Sequence, residues 1–147
     1  MSKTITIACD HAGYGLKNAL KKEILNMGFE VIDCGTNSSE SVDYPEFGQK
    51  VANSINNKKA DFGIVLCGSG IGISIAANKV KGIRAALCTS KEHAIMSRKH
   101  NNANILAMGA RFTSINEMKD IINSWLNTDF KGGRHQIRIN KIEENNA

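Results

Sequence analysis

Hydrophobic residues along this chain fall into two kinds of run that take turns. Short continuous blocks, rich in β-branched residues, at 3–8, 29–33, Phe62–Cys67, 83–88 and 105–108 predict five strands. Between them the apolar positions recur at three- and four-residue steps. Leu16, Ala19, Leu20, Ile24 and Met27 share one face with only Glu23 polar among them, which predicts a helix closed by Gly28. Pro45, the only proline, suits the first turn of a second helix running to about Asn56. An apolar helix follows the third strand and runs to about Lys79. Thr89-Ser90-Lys91-Glu92 and Ser114-Ile115-Asn116-Glu117 both have capping-box spacing, a hydroxyl and a carboxylate three residues apart at a helix start. The second leads into a helix through Leu126. Gly132-Gly133 then breaks the chain before a last, mostly polar helix at Arg134–Glu144.

Parallel strands need crossovers, and strands that are apolar throughout need cover on both faces. The pattern therefore predicts one domain over 1–147: a Rossmann-like three-layer α/β/α sandwich on a five-stranded parallel sheet. A chain of 147 residues has interior enough for one such core. Segment 130–147 carries few apolar positions (Ile137, Ile139, Ile142) and is expected to pack on a partner subunit.

Composition narrows the function classes. No apolar run reaches the roughly 18 residues of a membrane span, and Met-Ser-Lys-Thr-Ile-Thr-Ile is unlike a signal peptide. A cytoplasmic protein with no membrane partner is expected. Cys9, Cys34, Cys67 and Cys88 each lie at or just past the end of an apolar run, so free thiols are expected. With no C-x-x-C and no Cys/His ligand spacing, no metal is expected. The net charge of +5 raises the question of nucleic acid, but the lysines sit in mixed-sign company (Lys21, Lys22, Glu23) and aromatics are only 5%. A nucleic-acid surface needs a basic stripe with stacking residues, so no such partner is expected.

Open parallel sheets bind ligands beyond the carboxyl ends of their strands. Cys9-Asp10-His11, Cys67-Gly68-Ser69-Gly70-Ile71-Gly72 and Met108-Gly109-Ala110-Arg111 all fall there. The glycine segment lets backbone amides approach an anion at a helix N-terminus, though it is equally a tight strand-to-helix turn. It is neither a dinucleotide fingerprint nor a P-loop. Cys67 stands immediately before that turn, where helix amides favour a thiolate suited to general-base work; the bland reading is a buried strand-end cysteine. His11 and His100 are the other titratable candidates. Arg111, Arg134 and Arg138 are candidates for a phosphate, the last two one helical turn apart; they are also what a solvated basic face looks like.

Taken together, the blocks Cys9-Asp10-His11-Ala12-Gly13, Asp43-Tyr44-Pro45, Cys67-Gly68-Ser69-Gly70-Ile71-Gly72-Ile73-Ser74-Ile75-Ala76-Ala77-Asn78-Lys79, Gly82-Ile83-Arg84-Ala85, Ser97-Arg98-x-His100-Asn101 and Gly132-Gly133-Arg134-His135-x-x-Arg138 are specific. In type and order they resemble the ribose-5-phosphate isomerase B and galactose-6-phosphate isomerase family over nearly the whole chain. The resemblance implies an aldose–ketose isomerase that interconverts ribose 5-phosphate and ribulose 5-phosphate, without cofactor, through ring opening and an enediolate.

It also implies the roles. Cys67 moves the proton between C1 and C2. Ser69 and the amides of Gly70, Ile71 and Gly72, beside Gly68, hold the enediolate oxygen. His100 opens the ring, helped by Asp10 and Asn101. His11, Arg111, Arg134 and Arg138 grip the phosphate, and Tyr44 lines the sugar pocket. The family's sites are shared across a homodimer, with a dimer of dimers an open alternative. Some members carry threonine where this chain has Ser69, which keeps the hydroxyl. Others replace the cysteine by a glutamate further along the loop, but Ser74 or its neighbours supply no carboxylate here. The alternatives are a six-carbon substrate, such as allose 6-phosphate or galactose 6-phosphate, and a non-catalytic sugar-phosphate sensor. A sensor has no use for Cys67.

Overall fold

The apolar blocks form strands β1 (Thr4–Cys9), β2 (Glu30–Asp33), β3 (Phe62–Cys67), β4 (Ala85–Leu87) and β5 (Ile105–Gly109) in the computed structural model, which describes residues 3–144. The segments between them form α1 (Tyr14–Asn26), α2 (Tyr44–Asn56), α3 (Ile71–Asn78), α4 (Lys91–Lys99), α5 (Ile115–Leu126) and α6 (Arg134–Glu144). The strands pair in parallel in the order β2-β1-β3-β5-β4, as the alternation predicts. From β1 the chain steps to one side to make β2, then returns across β1 to place β3 on the other. The crevice beyond the ends of β1 and β3 is therefore a topological switch point. Cys9 pairs with Leu66 and Cys67 with Gly109, so the tips of β1, β3 and β5 end nearly level.

The period of two along each strand sorts its side chains between two cores. Ile5, Ile7, Ile64, Leu66, Leu106 and Met108 face α1, α4 and α5, meeting Leu20, Ala94, Ile122 and the fully buried Trp125. Ala8, Val65, Cys67, Ile105 and Ala107 face α2 and α3, meeting Phe47, Val51, Ile73 and Ala77. Cys67 is thus the last rung of the row beneath α3. The edge strand β2 has no residue fully buried.

Three local expectations need correction. The buried stripe of α1 is Lys17, Leu20 and Ile24, while Ala19 is exposed. Lys17 is only 1% exposed; its Nζ donates to Asp33 Oδ1 at 2.8 Å and to the Thr36 carbonyl, so an ion pair fills a place that periodicity gives to an apolar residue. At α4 the cap is Ser90, whose Oγ accepts from the His93 N–H at 3.2 Å; with histidine at the third position no carboxylate completes a box. The strand at 83–88 shortens to β4 because the Arg84 N–H donates to Asn104 Oδ1 at 2.8 Å instead of to a neighbouring strand. At Ser114 and Glu117 the capping box forms in full. Helix α6 buries His135 and Ile139 on its own chain and leaves Ile137 and Ile142 exposed.

Candidate active site

The level tips of β1, β3 and β5 open onto one cleft of about 620 Å³. The three strand-end groups singled out in the sequence meet there: Asp10 and His11 from β1, Cys67, Gly68, Ser69, Ile71 and Gly72 from β3, and Arg111 from β5. Tyr44, at the start of α2, completes the wall.

Cys67 is 4% exposed at the floor. Beyond it the chain must turn at once into α3, and Gly70 makes this possible with φ at 79°. A Cβ there would lie 2.6 Å from Leu87 Cδ1 and 2.7 Å from the Met108 carbonyl carbon, so no side chain fits. The turn brings an amide back onto the sulfur: the Gly70 N–H donates to Cys67 Sγ at 3.1 Å. The Ile71 N–H donates to Ser69 Oγ at 3.2 Å, leaving the Ser69 hydroxyl hydrogen to donate elsewhere. Two of the amides expected to serve a bound anion are thus engaged by the loop's own sulfur and oxygen. The Gly72 N–H is among the first-turn donors that a helix cannot satisfy internally. Gly72 also lets Tyr44 close in, since a Cβ at that position would lie 2.5 Å from the Tyr44 ring.

In the same cleft, Asp10 is 6% exposed, and its Oδ1 accepts the Ala12 N–H at 3.0 Å in an Asx turn. The Val42 N–H donates to His11 Nδ1 at 3.2 Å, so a neutral His11 carries its proton on Nε2. Arg111 is anchored through its N–H to the Gly68 carbonyl at 2.9 Å, and its guanidinium lies over Gly68. The cleft thus holds a cation, a helix N-terminus and a carboxylate. The first two suit an anionic group and the third a hydroxylated one.

The remaining predicted residues form a second cluster. His100, the C-cap of α4, stacks on His135 of α6 with ring centroids 4.2 Å apart and planes 13° from parallel. Asn101 follows directly, and Arg134 and Arg138 are exposed on either side of His135 along α6. Burial, then the neighbouring His100, Arg134, Arg138 and Lys131, hold His135 below the usual histidine range. None of His100, Asn101, Arg134 and Arg138 lines the Cys67 cleft.

Sequence reasoning missed Phe112 and Ile75, which line the cleft. Both are apolar residues standing in solvent, 79% and 55% exposed, and an isolated apolar residue reads as core from sequence. It gave His135 no role either, although its place between Arg134 and Arg138 marked it.

Known proteins resemble this chain closely. The family model described as Ribose/Galactose Isomerase matches residues 5–142. Ribose-5-phosphate isomerase B of Escherichia coli (strain K12) is 45% identical over 95% of this chain and 94% of its own. The solved ribose-5-phosphate isomerase B of Clostridium thermocellum superposes with a TM-score of 0.96 at 52% identity, covering 97% of both chains. That of Mycoplasma genitalium, solved with bound ribulose-5-phosphate, superposes with a TM-score of 0.94 at 42% identity, covering 99% of this chain and 97% of its own. Such matches run through both residue clusters and nearly end to end, and the chain belongs to the ribose/galactose isomerase family.

Proposed function

We propose that this protein interconverts ribose 5-phosphate and ribulose 5-phosphate, a reaction of pentose phosphate metabolism in the cytoplasm. One observation carries the reading: Cys67 shares the cleft with the Ser69 hydroxyl and the start of α3, and the Gly70 amide holds its sulfur. Each has a task in moving a proton between adjacent carbons.

Ribose 5-phosphate is mostly a closed ring, so an acid must first protonate the ring oxygen while the anomeric hydroxyl gives up its hydrogen. His100 is assigned the acid, with Asp10 and Asn101 supporting it. In the open aldehyde, the Cys67 thiolate takes the C2 proton and the bonding pair moves onto O1. Ser69 Oγ–H and the Gly72 amide donate to that oxygen as charge grows; Gly70 and Ile71 hold the sulfur and the serine in place. The proton then passes from sulfur to C1. The hydrogen of the C2 hydroxyl is transferred in net to O1, leaving the ketone.

A well-placed acid or base contributes about 10²–10⁴-fold and one oxyanion donor about 10²–10³-fold. His11, Arg111, Arg134 and Arg138 take the phosphate, whose binding away from the reacting carbons fixes their orientation. Tyr44 bounds the sugar.

Because the acid cluster stands apart from the cleft in one chain, the reading includes a homodimer. One subunit's His100, Asn101, Arg134 and Arg138 then face the partner's Cys67. Ile71, Ile75, Phe112 and Ile137, all more than half exposed, supply apolar surface for that contact.

The test is turnover of a panel of five- and six-carbon aldose phosphates by the wild type and Cys67→Ala. Ribose 5-phosphate should be the preferred substrate. The variant should lose about 10³-fold or more in kcat while still binding ribulose 5-phosphate. A Cys67→Ala enzyme of near-normal rate removes the sulfur from its role, and preference for a hexose phosphate overturns the substrate.

A further inference from the structure

The block Gly82-Ile83-Arg84-Ala85 has no task in the reaction just described, yet Arg84 bonds to both the loop and the helix that carry the acid cluster. Its Nε donates to the Asn101 carbonyl at 3.1 Å and the Asn102 carbonyl at 3.2 Å, and Nη2 to the Asn102 carbonyl at 2.9 Å. Its Nη1 meets Glu143 Oε1 of α6 at 2.9 Å. One planar guanidinium therefore ties the loop that carries His100 and Asn101 to the helix that carries Arg134, His135 and Arg138.

That loop is open on one side. A cavity of about 490 Å³ opens beside it, lined by Arg84, Asn101 and Ile142, so packing does not fix Asn101 from that side. Asn102 sits at φ 45°, a left-handed conformation that asparagine enters more readily than most residues. On the opposite side Arg98 closes the loop, donating from Nη1 to Asn102 Oδ1 at 2.9 Å and to the Ala103 carbonyl at 2.7 Å. Arg98, however, reaches no residue of α6; its Nε goes to the Thr128 carbonyl. Beside the stack of His100 on His135, Arg84 is the one residue among those described that hydrogen-bonds to both loop and helix.

We propose that Arg84 is a positioning residue: through its bonds to the 101–102 carbonyls and to Glu143 it holds the ring-opening acid and the phosphate-gripping arginines as one rigid unit. This rests on the isomerase reading above. A displacement of about 1 Å at a catalytic group can cost about 10²-fold, and a lysine cannot substitute, because one ammonium does not span carbonyls and carboxylate in fixed directions.

The experiment compares the wild type with Arg84→Met, Arg84→Lys and Glu143→Gln in the full-length protein. Two rates are read at saturating substrate. The first is isomerisation of ribose 5-phosphate, which needs ring opening. The second is exchange of the C1 hydrogen of ribulose 5-phosphate with D₂O, which does not, because this ketose carries phosphate on the oxygen it would need to close a ring. Arg84→Met should lose about 10- to 100-fold in kcat for isomerisation and keep exchange within about threefold, and Arg84→Lys should not restore it. Glu143→Gln, which leaves the loop bonds intact, should raise KM more than it lowers kcat. A folded Arg84→Met enzyme with wild-type kcat overturns the proposal, as does an equal loss in both rates. If the wild type itself turns over no pentose phosphate, the isomerase reading fails instead. The clamp is then judged from the ring-proton NMR shifts of the stacked His100 and His135, which Arg84→Met should move; unchanged shifts refute it.

Discussion

Replacing Lys17 by methionine isolates the ion pair that the hydrophobic period did not foresee. Methionine keeps the unbranched stem and deletes the ammonium. Lost are the bond to Asp33 and the bond to the Thr36 carbonyl, at about 1.5–3 kcal/mol each for a charged donor. Against this, the ammonium no longer has to be dehydrated, which recovers several kcal/mol by itself. Asp33 is not abandoned: its side chain is 22% exposed and keeps Lys21 at 3.0 Å and the Gly35 N–H at 2.8 Å. The Thr36 carbonyl has no such replacement, and a stranded buried acceptor costs about 1–3 kcal/mol. The net expectation is a loss of about 3 kcal/mol at pH 7, or roughly 6–12 °C in Tm for a chain of this size.

The sign of the pH dependence is fixed by Asp33. Burial pushes its carboxyl up, but the bonds from Lys17, Gly35 and Lys21 outweigh this and hold it below the ordinary carboxylate range. Its contribution is therefore present above the unfolded pKa, near 3.8, and is lost as pH falls through the lower folded value. Urea unfolding at one protein concentration should show the gap between wild type and Lys17→Met at pH 7 and its narrowing toward pH 3. A variant within about 1 kcal/mol of wild type at pH 7 would refute the reasoning, as would a gap that does not change with pH; either marks the pair as balanced by its desolvation.

Two further outcomes follow from the site. By NMR the His135 imidazole should titrate below the usual 6.5, and His100→Asn should raise that midpoint only in part, since burial is the larger cause. A midpoint above 6.5 contradicts the stacking argument. Gly70→Ala forces a Cβ against Met108 and strains a left-handed residue, so kcat should fall about as far as in Cys67→Ala, with the secondary structure intact by circular dichroism; a normal rate means that the loop tolerates a different path.

The parts of this fold legible in the sequence are those decided locally. Pro45 starts α2, Ser114 and Glu117 cap α5, and continuous apolar strands force a covered parallel sheet. The convergence of Asp10, Cys67 and Arg111 was legible for a topological reason: parallel strands send all their carboxyl ends to one edge. Apart from the one-residue shift of the α4 cap to Ser90, what failed depended on partners distant in sequence. Lys17 is buried because Asp33 and Thr36 wait on another element, which no window of helix residues reveals. Asn104, twenty residues away, shortens β4. The separation of His100, Arg134 and Arg138 from the cleft does not follow from their spacing, which fixes a shared helix face and not what that face meets; the family resemblance, with its site shared between subunits, is what implied it. Phe112 escaped notice because an aromatic ring beside a strand is ordinarily filler.

Cys67 occupies a position with two masters. Below, it completes a row of core side chains that any compact apolar residue would complete as well or better; above, its sulfur is the floor of the cleft. Selection for thermal robustness and selection for reactivity therefore bear on the same few cubic ångströms, and in opposite directions. A variant picked only for resistance to heat has an easy route at this position, and it ends in a sturdier protein with nothing left to carry a proton.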